Sequence, residues 1–508
     1  MSEETKPFPI ACRPGIRRDG SSLETAEFRD GKWTRWHFSR ARKIGGYRRI
    51  VQGGIDRLYA INLYPKNNIG WTHMAAYDGV LQIQLNGDTG LGSSLLDRTP
   101  GTYVDAADAL WTFATMYDDG AGSDFTRIMA HVAPNLEHID NSTAGTLYTG
   151  QVDGSTTLTV AGTAPSVSGG MAIIQPYAFL YGSDGDLNWS DANQPLVWSG
   201  GDAGSDRVTD KKIVYGAPTR GATVPTGIFW SLDALIRATY VGGLAIWSFN
   251  IVADDISIMS SRAVAKYDGA FIWAGNGRFF FYDGVVRELP NNYNSDWFFD
   301  NINKNARQKV FTQTSQRFGE IWICFPFGTA TECTHAIIFN VRGKYWYDTE
   351  LPAEGRVSGF ESSTFWWPIM GCSNGNLHLH EFGYDRIVGG STYPIEAYYK
   401  TSDISWLTTG PGKQAWIGED RWNKLLLIEA DWVNQSGNVN IDVYHRYYAN
   451  SDEEQAGETI VVGEDTENSK IKLTGRITTI KFSSNDQGGF FQQGELLFHF
   501  GMDDGRGK

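Results

Sequence analysis

The chain has 508 residues, of which 13% are aromatic and 58 are glycine, and it carries a net charge of −14. That length leaves room for two or three domains, and the aromatic and glycine content favours an all-β protein with many tight turns. There is no run of about 18 apolar residues, so no membrane span is expected. The first twenty residues are charged and lack an apolar core, so no secretory signal is expected.

The charge is unevenly spread. Residues 11–50 hold 11 Lys/Arg against 4 Asp/Glu, and residues 51–508 carry a net −20. A basic head on an acidic body implies two different neighbours. Affinity for DNA comes largely from neutralising phosphates, so an acidic body binds it poorly and suits a surface along which DNA slides. The cysteines, Cys12, Cys324, Cys333 and Cys372, are too widely spaced for a zinc ribbon or a disulfide framework. Free thiols of a protein made in a reducing cytoplasm are expected.

In chain order, residues 1–50 read as a polar, basic arm, with Arg40, Arg42, Lys43, Arg48 and Arg49 crowding its end. Docking to an acidic protein surface or to a nucleic-acid backbone is the function such a cluster would serve. Residues 51–390 read as one propeller-like domain of serial antiparallel meanders. Its pattern is plainest over 261–349, where aromatic runs of about 5–8 residues are closed by Asp268-Gly269, Asn276-Gly277, Asp283-Gly284 and Arg342-Gly343. The phrase Tyr-Asp-Gly recurs at 77–79, 267–269 and 282–284, as repeated blades would require. Within this domain, 141–170 reads as an insertion between blades and 290–308 as a projecting loop with a short helix. Residues 391–508 read as a separate β-sandwich-like domain of alternating strands. Its segment 451–467 holds seven acids and no Lys or Arg, and reads as a mobile exposed loop.

Signals for chemistry are sparse. The glycine pairs Gly90/Gly92 and Gly275/Gly277 lack the strand-to-helix setting of a phosphate loop, and no nucleophile elbow occurs. His378 and His380 would share one strand face, which without a third ligand reads as two polar strand residues. Asp118-Asp119, Asp254-Asp255 and Asp184/Asp186 could be imagined as glycosidase carboxylates, yet acids beside glycine more often form turns. Ser183 to Trp189 departs from the Asp-box of sialidase propellers, because Gly185 and Asn188 stand where Asp and a hydroxyl residue belong. No catalytic residue, metal ligand or cofactor site is therefore assigned.

Several phrases occur together: Pro14-Gly15-Ile16, Ile44-Gly45-Gly46-Tyr47, Gly182-Ser183-Asp184-Gly185, Trp189-Ser190-Asp191-Ala192 and Phe229-Trp230-Ser231. They continue with Lys266-Tyr267-Asp268-Gly269, Tyr282-Asp283-Gly284, Trp297-Phe298-Phe299-Asp300 and Tyr345-Trp346-Tyr347-Asp348. With the β-domain that ends the chain, this resembles the tail nozzle or tail hub proteins of short-tailed bacteriophages, the group that includes packaged-DNA stabilisation proteins. The resemblance implies a non-enzymatic structural protein of the virion tail, assembled in the host cytoplasm. It implies a self-assembled ring, a homohexamer, below the head–tail adaptor. The ring would continue the channel for packaged double-stranded DNA, hold that DNA without reading its sequence, and dock tail fibres or spikes. From charge, Arg40, Arg42, Lys43, Arg48 and Arg49 are the candidate adaptor contacts. The alternatives are a non-catalytic receptor-binding tail module and a carbohydrate-active propeller of depolymerase or sialidase type.

Overall fold

The computed structural model describes residues 6–9, 12–23, 25–54, 56–87, 89–120, 125–219, 223–362, 364–404 and 422–503. The protein is all-β and its centre is a seven-bladed propeller. Six blades are four-stranded antiparallel meanders running outward from an inner strand. Their inner strands are Ala60–Lys66, Ala109–Asp118, Gly170–Ile174, Ile213–Pro218, Val264–Tyr267 and Phe311–Ser315. The seventh blade begins with Ser358–Phe360, which lies beside Phe311–Ser315 on one side and Ala60–Lys66 on the other, closing the ring.

That blade is completed from the other end of the sequence. After Ile369–Gly371 and Leu377–His380, its fourth strand is Tyr47–Val51, paired antiparallel so that Tyr47 faces His380 and Val51 faces Leu377. Arg386–Val388 then pairs parallel to the same strand. Closing a propeller with a strand from the opposite terminus ties the first and last blades by a hydrogen-bonded ladder, so neither can peel away alone.

Blades pack through aromatic faces, as the Phe/Trp-rich runs require. Between the fourth and fifth blades, Trp230 meets Trp273 edge-on at 5.6 Å, and Trp273 stacks on Phe280 at 5.1 Å. The Trp273 indole N–H donates to Ser257 O at 3.0 Å, so burial leaves no orphaned donor on this ring. Trp273→Ala is expected to cost about 3–5 kcal/mol through lost burial and the cavity left behind. A denaturant midpoint that stays at the parent value would contradict this packing.

The C-terminal domain is a two-sheet sandwich, and here the segment expected as an arm proves structural. One sheet runs Ser469–Gly475, Trp422–Ser436, Phe490–Asp503, Arg40–Lys43, Thr34–His37, with Lys6–Pro9 also paired to Phe490–Asp503. The other runs Asp30–Lys32, Ala397–Lys400, Ile477–Ser484, Val439–Arg446, and ends on Glu454–Gln455 and Ile460–Val462. Residues expected as a free arm therefore supply strands to both sheets as well as to the seventh blade. Their aromatics explain why: Phe28, Trp33 and Trp36 are buried in one cluster with Trp322 and Tyr347 of the sixth blade and Tyr399, Phe482, Phe491 and Phe498 of the sandwich. Gly15 shows how closely this strand passes the propeller. Its φ is +108°, and a Cβ on it would lie only 2.6 Å from the Trp346 carbonyl oxygen. No side chain fits there.

Three further expectations change. The stretch 141–170 is no insertion between blades: it carries Thr146–Gln151 and Thr159–Val160, the outer strands of the second blade. The helix expected in 290–308 exists as Ser295–Asn301 but does not project, because Phe298 and Ile302 are buried against the fifth and sixth blades. The acidic segment 451–467 carries two edge strands, and Glu453 is engaged by Lys400 and Arg29. All four cysteines are free thiols, and Cys324, Cys333 and Cys372 are buried.

Candidate interaction site

The five basic residues singled out above are distributed by strand geometry to three different environments. Arg40, Arg42 and Lys43 lie on the hairpin of Thr34–His37 and Arg40–Lys43. Its tip is Phe38-Ser39, both at positive φ, the two-residue turn that matches the twist of antiparallel strands. Arg40 is exposed. Arg42 is half-buried, its guanidinium 5.5 Å from the Phe318 ring and 5.1 Å from the Phe490 ring. Lys43 points inward: it is buried and donates to Gly489 O at 2.8 Å. Burial pushes its pKa down to about 8 against the pull of Asp385 and Asp486. Lys43 is thus unavailable for adaptor contact, a correction to its place among the candidates. Arg48 and Arg49 sit on the closing strand of the seventh blade, Arg48 over Phe382 at 4.8 Å and Arg49 donating to Gln52 at 3.0 Å.

The fold brings to the hairpin tip Arg317 and Arg342, which sequence reading missed, with Lys344 on the same turn as Arg342; all three are exposed on turns of the sixth blade. The two turns are joined, since Arg342 donates to the carbonyls of Gln316 at 2.6 Å and Arg317 at 2.9 Å. The Tyr345 hydroxyl donates to Trp36 O at 2.6 Å and pins them to the hairpin. His37 records the crowding: burial first, then Arg42, Arg35, Arg317 and Arg342, hold its pKa below the usual imidazole range. Among the described residues, Arg40, Arg42, Arg317, Arg342 and Lys344 have no carboxylate within ion-pair distance. Phe38, 81% exposed and 4.1 Å from His37 ring to ring, stands in the middle of this basic face. Arg40 and Arg42 are separated from Arg317, Arg342 and Lys344 by at least 275 residues (317 − 42) along the chain, so no local pattern announced the group.

Beneath the face lies a buried ionic seam between propeller and sandwich. Arg35, on the hairpin, is fully buried and reaches Glu320 of the sixth blade at 2.9 Å and Glu381, just past the Leu377–His380 strand. Glu320 also accepts from Trp322 Nε1 at 3.0 Å and from the Tyr347 hydroxyl, and Glu381 accepts from Gly45 N at 3.1 Å. The Arg35 guanidinium lies 3.6 Å from the Phe318 ring. Burial raises the pKa of Glu320; at Glu381 burial is outweighed by Arg35, which holds that carboxyl low.

His378 and His380 do share a strand, as expected, but inside the protein rather than on a solvated face. His378 Nδ1 is 2.9 Å from Cys372 Sγ and its Nε2 is 3.6 Å from Glu354, while His380 packs edge-on to Trp33 and Trp322. Among the described residues no group of three or more His, Cys, Asp or Glu is placed to hold a metal ion. Burial drops the pKa of His378 to about 2 and of His380 to about 3, and likewise His73 to about 3 and His131 to about 4. In the unfolded chain these imidazoles titrate near 6.5. The unfolded state therefore binds more protons below that value, and stability present at pH 7 is lost as pH falls. At pH 5 each histidine is expected to contribute a loss on the order of 2 kcal/mol. Urea midpoints should fall steeply from pH 7 to pH 5; a flat profile would contradict neutral burial.

The acids considered as glycosidase carboxylates are scattered. Asp184 and Asp255 occupy positive-φ turn positions on the third and fourth blades, and Asp118 is paired with Arg127. Asp118 is also the one acid on the seven inner strands, whose other polar residues are neutral or basic. An open groove of about 480 Å³ lies beside the fifth blade, floored by Met259, Phe299 and Ile302 and rimmed by Asn276, Asp300, Lys304 and Arg307.

No family model and no curated protein matches this chain. Similar solved structures include an exo-β-1,3-galactanase from Phanerochaete chrysosporium with galactose, 10% identical, covering 90% of this chain and 100% of that one at a TM-score of 0.32. A computationally designed protein, Ika8, is 11% identical over 66% of this chain and 99% of its own, at a TM-score of 0.35. At such identity and TM-score neither likeness bears on what this chain does.

Proposed function

We propose that this chain is a structural subunit of the tail nozzle or hub of a short-tailed bacteriophage, one of the copies forming a ring below the head–tail adaptor. The ring would continue the DNA channel, retain packaged DNA and dock fibres or spikes. The observation that carries the reading is the stitching of residues 6–51 through both sandwich sheets and into the seventh blade. Propeller and sandwich thereby draw strands from the same N-terminal segment and share an apolar core and a buried ion network, which is a body suited to transmit load rather than to hinge. The inner strands, with one acid already held by Arg127, offer no facing pair of carboxylates for hydrolysis. The acidic net charge suits a surface that DNA passes without sticking. The test is the mass of the purified protein in solution, alone and mixed with virion adaptor rings, followed by electron microscopy of the mixture. A closed ring, alone or templated on the adaptor, is expected. A monomer that ignores the adaptor overturns the reading.

A carbohydrate-active propeller is the second reading, favoured by the groove beside the fifth blade, where the Phe299 ring in an apolar floor and a polar rim match what sugars require. It predicts release of reducing sugar from host surface polysaccharide, lost in Asp300→Asn.

A further inference from the structure

The molecule carries two exposed surfaces of opposite charge, built by different elements. The first is the basic face described above, five cations around Phe38. Of the acids near it among the described residues, Glu320 and Glu381 are held by the buried Arg35, and Glu361 is already occupied by the amide of Gln316 at 2.9 Å and the hydroxyl of Thr314 at 3.0 Å. The second is the outer edge of the sandwich, where Glu454–Gln455 and Ile460–Val462 are the last strands. Around these strands Asp452, Glu454, Glu458, Asp465 and Glu467 are exposed, with Val461 56% and Tyr448 68% exposed among them. Of nearby cations among the described residues, Arg446 is engaged by Asp403, Arg476 is half-buried with its guanidinium 5.8 Å from the Tyr448 ring and donates to Tyr447 O at 3.1 Å, and Lys470 is exposed.

Topology puts these surfaces on opposite sides of the domain. In the second sheet Asp30–Lys32 is one edge and the acidic strands are the other. Asp30–Lys32 leads directly into the basic hairpin and packs on the sixth blade through Tyr345–Glu350. The five strands of that sheet, spaced about 4.8 Å, hold the two edges roughly 20 Å apart. Glu453, at the start of the acidic segment, does reach back to Arg29 at 3.3 Å, but among the described residues none of the five cations around Phe38 pairs with an acid of that segment. Two complementary patches on opposite sides of one chain are what a head-to-tail contact between copies requires.

We propose that the basic face around Phe38 docks onto the acidic edge strands of a second copy of this chain, head to tail. Phe38 supplies an apolar centre and Tyr448 and Val461 its counterpart, while the surrounding charges set orientation and speed encounter. A second copy fits better than a nucleic acid, because a polyphosphate reaching five cations must approach a chain of net charge −14. The contact deepens the ring reading and rests on it only for closure.

Two surface variants test it: Arg40→Glu/Arg317→Glu/Lys344→Glu on the basic face, and Glu458→Lys/Asp465→Lys/Glu467→Lys on the acidic edge. None of these side chains is buried, and near-parent thermal unfolding would confirm that each variant folds. By light scattering, the parent is expected to self-associate at low salt and to weaken at least about tenfold at about 0.5 M NaCl, where charges are screened within a few ångströms. Each variant alone is expected to be monomeric, since both of its surfaces then carry one sign. Mixing the two is expected to restore association, because each variant keeps one parent surface, and these two surfaces are complementary. A parent that stays monomeric, variants that associate like the parent, or a mixture that stays monomeric each overturns the proposal. Loss of binding to a short DNA duplex or to adaptor rings by the basic-face variant, with self-association intact, reassigns the face to that partner. Open chains instead of closed rings by microscopy would refute the ring and leave the contact standing; rings insensitive to both reversals would do the opposite.

Discussion

A chain lacking residues 1–51 is expected not to fold. A dispensable basic arm could be removed with little loss, but here the deletion strips the fourth strand from the seventh blade and the strands Asp30–Lys32, Thr34–His37 and Arg40–Lys43 from the sandwich. The seventh blade then ends on Leu377–His380, whose outer edge is left unpaired, with His378 and Leu379 bared along it. The apolar cluster also loses Phe28, Trp33 and Trp36, each worth several kcal/mol of burial. Since net stabilities of domains are only about 5–15 kcal/mol, these losses exceed what the remainder can supply. The expected result is insoluble protein, or a soluble species without a cooperative unfolding transition. Parent-like circular dichroism and a sharp transition in the truncated chain would show that the N-terminal strands are dispensable, and would remove the main support for a body that transmits force.

Arg35→Met tests the seam between the two modules. The side chain is replaced by one of similar length that packs but carries no charge. Glu320 and Glu381 then face each other without their shared cation in a site that excludes water. Breaking a buried ion network by removing one member typically costs about 3–5 kcal/mol, because the stranded charges keep their desolvation penalty. The loss should be read as a lower denaturant midpoint. It should shrink as pH is lowered from 7 to 5, since protonating either carboxylate removes the stranded charge. Adding Glu320→Gln and Glu381→Gln to Arg35→Met should recover most of the loss, because an uncharged seam has nothing to strand. A single variant within about 1 kcal/mol of the parent would mean that water or neighbouring dipoles, not Arg35, satisfy the carboxylates.

Much of the architecture was legible in the chain, and for local reasons. Serial aromatic strands and Asp-Gly or Asn-Gly turns specify meanders from within a dozen residues, so the propeller-like domain and the β-sandwich after it could be read directly. Val264–Tyr267, Ala270–Ala274 and Phe279–Tyr282 are consecutive strands as their alternation and turns require. Asp184 and Asp255 were legible as turn formers because positive φ is a property of one residue and its neighbours.

What the chain did not announce is everything that depends on partners distant in sequence. The basic stretch 27–51 has the charge of a solvated arm, yet Phe28, Trp33, Trp36 and Ile44 within it are core. The cations that dominate composition point outward or into specific pairs while the aromatics decide where the strand goes. Lys43 looked like its neighbours and is buried, because hairpin register set its direction and Gly489 lies beneath. Arg317, Arg342 and Lys344 are ordinary turn residues until the sixth blade is packed on the hairpin. The sequence by itself determined the strands, the turns and the overall charge, since these follow from local backbone preference and simple summation. Tertiary structure alone decided the closing strand of the seventh blade, the Arg35 seam and the two opposed surfaces. Each of these joins residues hundreds apart, and burial and electrostatics act through space rather than along the chain.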